Sequence, residues 1–509
     1  MEDDFILCID KGTTELKTIL FSSDGQIIAQ TKRECRLSFP KRDWVEEDTQ
    51  TVWQQVTDAV KGLLGGAGIN RKRIKCIGIT SHMSGTIFVD EAGETVGNAV
   101  MWNDSRTNEM IKEWEARGVI EKTFDISGSR ILPGWTVPLV AWWKQNHPEI
   151  LEKSKYVLSM KDWIRFKLTG EIWTDHTEAT CSPGDIIKKT YSPSIFKWFG
   201  IEEWAHLFPP VQDPLEPAGR LIPSIAEELG LDANTKVITG MGDMPASVLG
   251  SGSIRPGHGA STLGTTFLNG VVTDRPYFTP RNIGMTNTYI GDMLVRLVNN
   301  TGGGAINYQW LLNIWRSNNP DHAESVENIL ADLNARVARC PVGANGVMYH
   351  PYINSAGITA PFYNLGARAQ FTGISLHNTY DDLLRAVFEG LGFAMKDCYS
   401  SVPIPLERIS VTGGGGKSEV LCQILADCCD AEIIVPKVTE SAALGTAIIA
   451  AVGTGMYGNY EEAVSNMVHI KRKFEPNARH RAKYDELFQR YKDIRRAMMP
   501  IWDTYTNPD

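Results

Sequence analysis

Two aspartates stand where a chain can do acid–base or metal chemistry. Asp243 lies in the small-residue run 240–252, entered from the apolar strand pattern Lys236-Val-Ile-Thr-Gly240, and is the only ionisable side chain from there to Arg255. A lone carboxylate at a strand end, opening a helix, can take a proton from a substrate hydroxyl; it can equally be the helix N-cap. Asp10 ends the apolar run Phe5–Ile9 and is followed by Lys11-Gly-Thr-Thr14. Backbone N–H groups and hydroxyls of Gly12, Thr13 and Thr14 could wrap a phosphate. Asp10 could hold magnesium, directly or through water. A plain turn built of turn-formers is the alternative. A second such turn, Gly264-Thr265-Thr266, follows about 250 residues later between two strand patterns, as a duplicated architecture would have it.

Other stretches suit a polyhydroxy ligand. His82, Met83 and Ser84 follow the strand pattern Ile74–Ile79, and open α/β sheets bind ligands at such C-terminal strand ends. Trp102, Asp104 and Arg106 combine an aromatic wall with donors and acceptors for hydroxyls, or form a structural ion pair. Trp135 heads a Pro- and Gly-rich loop and is a ligand candidate, whereas Trp142 and Trp143 read as core. The glycines at 413–416 follow the strand pattern Arg408–Thr412, where bare backbone lets a ring or phosphate come close. The Gly-Lys-Ser that ends this run is no Walker motif, because the required earlier glycine is Val411.

These residues need strands that stop abruptly and helices that start there. Phe5–Ile9, Leu16–Phe21 and Ile27–Arg36 predict three strands joined by hairpins. Thr49–Leu64 predicts an amphipathic helix opened by Asp48, and 159–170 a helix stopped by Gly170. Residues 181–235 read as a connecting, mostly helical region, and Arg479–Met499 as a charged helix with a solvated face.

Composition sets bounds. The 509 residues allow two or three domains, and 42% hydrophobic with 22% charged residues is ordinary for a globular chain. A formal net charge of −9 argues against a dedicated nucleic-acid binder or an anionic membrane surface. The nine cysteines show no paired CxxC spacing for zinc and read as thiols of a reducing, cytoplasmic compartment. No apolar run approaches the length of a membrane span.

Taken in order, the motifs resemble the FGGY carbohydrate kinases, a branch of the actin/hexokinase-like ATPases. They are Asp10-Lys-Gly-Thr-Thr14, Trp102-Asn-Asp-Ser-Arg-Thr107, Leu132-Pro-Gly-Trp-Thr-Val-Pro138, Lys161–Gly170, Gly242-Asp243, Leu263-Gly-Thr-Thr266, Arg385–Gly390, Gly413–Gly416 and Ala443-Leu-Gly-Thr446. Within the family the pattern looks closest to xylulokinases. The resemblance implies an α/β fold of two ribonuclease-H-like domains, 1–252 and 253–509, with a cleft between them and the last helix free to pack back on the first domain. It implies ATP and Mg2+ as cofactors, Asp243 as general base, and Asp10 with Asp243 at the metal. It places phosphate on Gly12, Thr13, Thr14, Gly264, Thr265 and Thr266, and adenosine by Gly414 and Gly415. His82, Met83, Ser84, Trp102, Asp104, Trp135 and Met244 would line the acceptor site. The partner is a small sugar or polyol, with no nucleic acid, no membrane, and a homodimer left open.

The departures fall on the sugar side. Xylulokinases typically read Gln-Met-His-Gly where this chain has His82-Met-Ser-Gly85, and Asp-Asn where it has Asp243-Met244. Their Ser-Gly-Glu-Arg-x-Pro segment is matched only loosely by 354–361. Methionine cannot hydrogen-bond a hydroxyl, so D-xylulose would leave a polar group unpaired at a cost of about 1–3 kcal/mol. The expectation is a kinase for a small ketose or polyol other than D-xylulose. A glycerol- or erythritol-type polyol kinase and a non-catalytic sugar sensor are the alternatives.

Overall fold

The computed structural model describes residues 4–264, 267–300, 302–304, 306–317, 326–355 and 357–506. Two mixed sheets carry the fold, and each grows from a hairpin. In the first, β1 (Phe5–Lys11), β2 (Glu15–Ser22) and β3 (Ile27–Glu34) run antiparallel, and β4 (Ile74–Ser81) lies parallel on the other side of β1. β5 (Pro217–Arg220) and β6 (Lys236–Ile238) complete the order β5-β6-β4-β1-β2-β3. The second sheet has β7 (His258–Leu263), β8 (Phe267–Thr273), β9 (Met285–Thr288), β10 (Leu294–Leu297), β11 (Arg408–Thr412), β12 (Glu432–Pro436) and β13 (Ile470–Phe474). Its order is β9-β10-β8-β7-β11-β12-β13. β7 plays the part of β1: antiparallel to its hairpin partner, parallel to the strand opposite.

The helices that matter for the site are α1 (Thr49–Gly66), α2 (Thr136–Asn146), α3 (Met160–Thr169), α4 (His176–Cys181), α5 (Asp243–Gly250), α6 (Tyr380–Ser400), α7 (Glu419–Cys429), α8 (Ser441–Gly453) and α9 (Arg481–Asp503). Strand β1 is apolar from Phe5 to Ile9 because both its faces are covered there. Leu7 and Ile9 pack with α1 and α3, whereas Ile6 and Cys8 pack with α5 and α8. Helix α1 starts where Asp48 accepts the Thr51 N–H at 2.7 Å, and α3 stops at left-handed Gly170.

Helix α8 of the second half therefore covers a face of the first sheet. It crosses α5 at glycines: a Cβ on Gly445 would lie 1.9 Å from the Ala246 carbonyl, and one on Gly250 1.9 Å from the Ser441 carbonyl. Backbone contact this close requires glycine on both helices.

Two expectations are corrected. Residues 181–235 are not simply helical connection, since β5 from this stretch forms the edge of the first sheet. The last helix does not return to the first domain. Tyr484, Leu487, Phe488 and Tyr491 of α9 form an apolar stripe at helical spacing and join the second-half core with Phe393 of α6. All nine cysteines are free thiols. Among the described residues no helix is long and apolar enough to cross a membrane.

Candidate active site

Three parallel strands, β1, β4 and β6, deliver the candidate chemistry from one sheet end. Asp10 pairs in register with Thr80, and Lys11 with Ser81, so the first hairpin tip and the His82–Gly85 turn lie side by side. Thr80 donates its hydroxyl to the Met241 carbonyl at 2.9 Å, tying that turn to the segment ending at Asp243.

Asp243 is the first residue of α5, after Gly242 as N-cap, and its side chain is not the cap. Burial, and then the Asp10 charge, pushes its carboxyl up to about 7. Burial also pushes Asp10 up to about 6, with Lys17 opposing. Among the described residues no ion pair within 4 Å involves either carboxylate. Both therefore stand as partly buried acids with little compensation. Such a pair accepts a divalent cation readily, and Asp243 has a base strength suited to neutral pH.

The hairpin tip is held from below. Lys11 is fully buried, and its ammonium bonds Glu47 at 2.9 Å and the Gly12 carbonyl at 3.0 Å, so it is a strut for the turn. Gly12 donates to the Glu15 carbonyl at 2.9 Å. Thr14 is exposed, and the Thr13 hydroxyl accepts from Trp102 Nε1 at 2.9 Å. Trp102 is thus 37% exposed and tied to the first hairpin tip.

Next to Asp243 in sequence, Met244 packs against an apolar cluster that includes Met83, Trp135 and Cys181. Met83 lies directly on Gly242, where a Cβ would meet it at 2.3 Å, and its sulfur is 3.5 Å from Asn287 Nδ2. Trp135 is 2% exposed and supports this wall from the residue before α2, rather than presenting its ring on an open loop. His82 is buried with both ring nitrogens unpartnered. Burial, and then Lys11, pushes its imidazole down to about 3, so it is neutral. Ser84 holds a left-handed backbone, φ 63°, and its N–H donates to Glu178 at 2.6 Å.

Asp104 is a correction to the sequence expectation. Its buried carboxylate accepts from Val45 N–H at 2.7 Å and from Arg106 at 2.8–2.9 Å, while the Arg106 guanidinium lies 4.2 Å over Trp44. Both oxygens are committed inside the protein, so the pair props the Trp102 turn and is not free to read a hydroxyl.

On the second sheet, Gly264 follows β7, and Thr265 and Thr266 lie outside the described residues. The glycine run after β11 divides its labour. Gly414 is exposed with room beside it, whereas a Cβ on Gly415 would lie 1.9 Å from Leu263 Cδ2. Gly415 is thus needed for packing and Gly414 is the open backbone.

Three residues escape sequence reasoning. Lys17 supplies the largest favourable charge at Asp10, yet Glu440 grips it at 2.8 Å. Glu440 also takes Lys32 at 2.8 Å. Glu178 holds the Ser84 turn. Lys17 carries a faint signal as a charge on an otherwise buried strand; Glu440 and Glu178 act through partners far away in sequence.

Models of the FGGY family of carbohydrate kinases match the chain: the N-terminal domain over residues 5–250 and the C-terminal domain over 259–454. A xylulose kinase of Bacillus subtilis (strain 168) is 28% identical over 499 residues, covering 96% of both chains. An erythritol kinase of Brucella abortus (strain 2308) is 28% identical over 510 residues, covering 98% of this chain and 97% of its own. The ligand-bound crystal structure of a xylulose kinase from Lactobacillus acidophilus superposes with a TM-score of 0.89 at 23% identity, over 99% of this chain and all of that one. At that identity the likeness shows the fold, two domains of the actin/hexokinase-like type.

Proposed function

Because the chain belongs to the FGGY family of carbohydrate kinases, we propose that it transfers the γ-phosphoryl group of ATP to a primary hydroxyl of a small ketose or polyol, with Asp243 as general base. The observation that carries this is the Asp243 carboxylate, with no ion-pair partner among the described residues, beside Asp10 and pushed up to about 7 at the end of three parallel strands.

Asp243 takes the proton of the acceptor hydroxyl as its oxygen bonds the γ-phosphorus, and the bond to the ADP oxygen breaks. Phosphoryl transfer demands mainly positioning and charge neutralisation. Asp10 and Asp243 fit Mg2+, which takes one or two carboxylates and keeps water and phosphate oxygens for the rest. When bound, the ion supplies neutralisation of phosphate charge. Gly12, Thr13 and Thr14 on one hairpin, and Gly264 after β7, would hold the phosphates, and Gly414 would leave room for the adenosine. Met83, Trp135 and Met244 form an apolar wall for the acceptor's carbon chain, with His82 and Ser84 beside it. The nine free thiols suit a reducing, cytoplasmic setting.

The apolar Met244 next to the base favours a polyol or ketose with fewer hydroxyls to satisfy there, so D-xylulose is not the best acceptor. A polyol kinase of the glycerol or erythritol type is the second reading, favoured by the same residue. The test is magnesium-dependent ADP release over ketopentoses, ketohexoses, tetritols, pentitols and glycerol, against a blank without acceptor. One compound well above the blank is expected. D-Xylulose with the highest kcat/KM overturns the acceptor assignment, and a flat panel overturns the kinase and favours a sensor.

A further inference from the structure

Helix α4 touches both ends of the acceptor wall. Thr177 Oγ1 accepts the Gly242 N–H at 2.9 Å, one residue before the base, and Cys181 Sγ lies 3.4 Å from Ser84 Oγ. Residues 177, 178 and 181 share a helix face, so Glu178 faces the same wall. It is 4% exposed. One carboxyl oxygen accepts the Ser84 N–H at 2.6 Å, and the other, Oε2, has no hydrogen-bond partner.

A buried polar atom normally has a partner. Burial, and then Asp162, pushes the Glu178 carboxyl well above the usual range, with Lys161 opposing. With Oε1 accepting from Ser84, Oε2 is left as a buried polar atom without a partner in the protein, an acceptor as carboxylate and an O–H donor once protonated. A hydroxyl or carbonyl oxygen of a bound sugar or polyol would supply that partner.

We propose that Glu178 is a specificity-determining residue of the acceptor pocket: one oxygen fixes the left-handed Ser84 turn, and the other hydrogen-bonds an oxygen of the substrate that is not phosphorylated. This rests on the sugar-kinase reading. It gives the pocket a polar reader beside the apolar Met83–Met244 wall, on a helix that also bonds the base segment at Gly242.

The test is steady-state kinetics of wild type, Glu178→Gln and Glu178→Met with the best compound of the acceptor panel. Glutamine keeps an acceptor for Ser84 and a donor on its other arm, so its acceptor KM stays within about threefold of wild type. Methionine keeps the length and loses both bonds. Its acceptor KM rises about tenfold or more, the scale of one lost buried hydrogen bond, while kcat and the KM for ATP stay within about threefold. A deoxy analogue lacking the contacted oxygen binds wild type and Glu178→Met alike. If the methionine variant fails to fold, Glu178→Asp, which withdraws the carboxyl by one methylene, carries the same expectation. An unchanged acceptor KM in the folded methionine or aspartate variant, or a loss confined to kcat, overturns the assignment alone. A wild type silent on the whole panel overturns the kinase reading and this one with it.

Discussion

Helices α5 and α8 each follow the third parallel strand of a sheet, and they begin with opposite electrostatics. Asp243 opens α5 beside a second carboxylate, Asp10, and is pushed up to about 7. Glu440 precedes α8, and although burial acts to raise it, the hydrogen bonds and charges of Lys17 and Lys32 hold it below the usual range. The hairpins differ in the same way. Two residues before Gly12 stands Asp10; two before Gly264 stands Thr262, whose hydroxyl bonds Thr412 at 3.0 Å. A near-repeated architecture thus leaves carboxylate charge with little compensation in one half, at the strand ends to which we assign the base and the cation, and gives the carboxylate of the other half two lysine partners.

The sharpest way to break this contrast is to remove the charge that is left free. Asp243→Asn should fold and lose phosphoryl transfer by about 10²–10⁴-fold, the range for removing a general base. Turnover within tenfold of wild type would move the base elsewhere. Next in size is the crossing that joins the halves. Gly445→Ala forces a methyl onto the Ala246 carbonyl and should cost about 1–3 kcal/mol in urea unfolding; a cost near zero would mean that the helices separate freely.

The smallest effects have opposite signs. The folded value of Asp243 lies above its ordinary value of 3.8, so its ionisation lowers stability as pH rises from about 4 through 7. Glu440 lies below its ordinary 4.5, so it adds stability above that pH, lost as pH falls through its lower folded value. At pH 8, Asp243→Asn should therefore melt higher than wild type and Glu440→Gln lower. The Glu440 effect is about 1 kcal/mol or less and weakens with salt, since Lys32 is 43% exposed. Shifts of one sign in both variants would dissolve the comparison.

The parts of the site legible in the sequence are those whose signal is local. An apolar strand halted at Asp10 or before Asp243, with glycine and threonine after it, can be read from a dozen consecutive residues. The structure puts both at one end of the first sheet, after β1 and β6, with β4 between them. What was not legible depends on distant partners. Lys17 and Glu440 meet across 423 residues, and Glu178 meets Ser84 across 94. Asp104 has a suitable residue type for a sugar ligand, but Trp44 and Val45 bury it, and nothing near 104 announces them. Helix α9 is a different case. Its charge marks a solvated face, which the structure shows, while its stripe of Tyr484, Leu487, Phe488 and Tyr491 joins the second-half core.

The most direct test of the account is the pH dependence of kcat/KM for the best acceptor between pH 5 and 9, for wild type and Asp243→Asn. This ratio reports the free enzyme. Asp243 must be ionised to take the proton, so wild type should rise with pH through an apparent value near 7 and then level off, with Asp10 and Asp243 titrating as a pair. The residual rate of Asp243→Asn should lack that rising limb. A flat wild-type profile, or the same limb in Asp243→Asn, would contradict the assignment of the base.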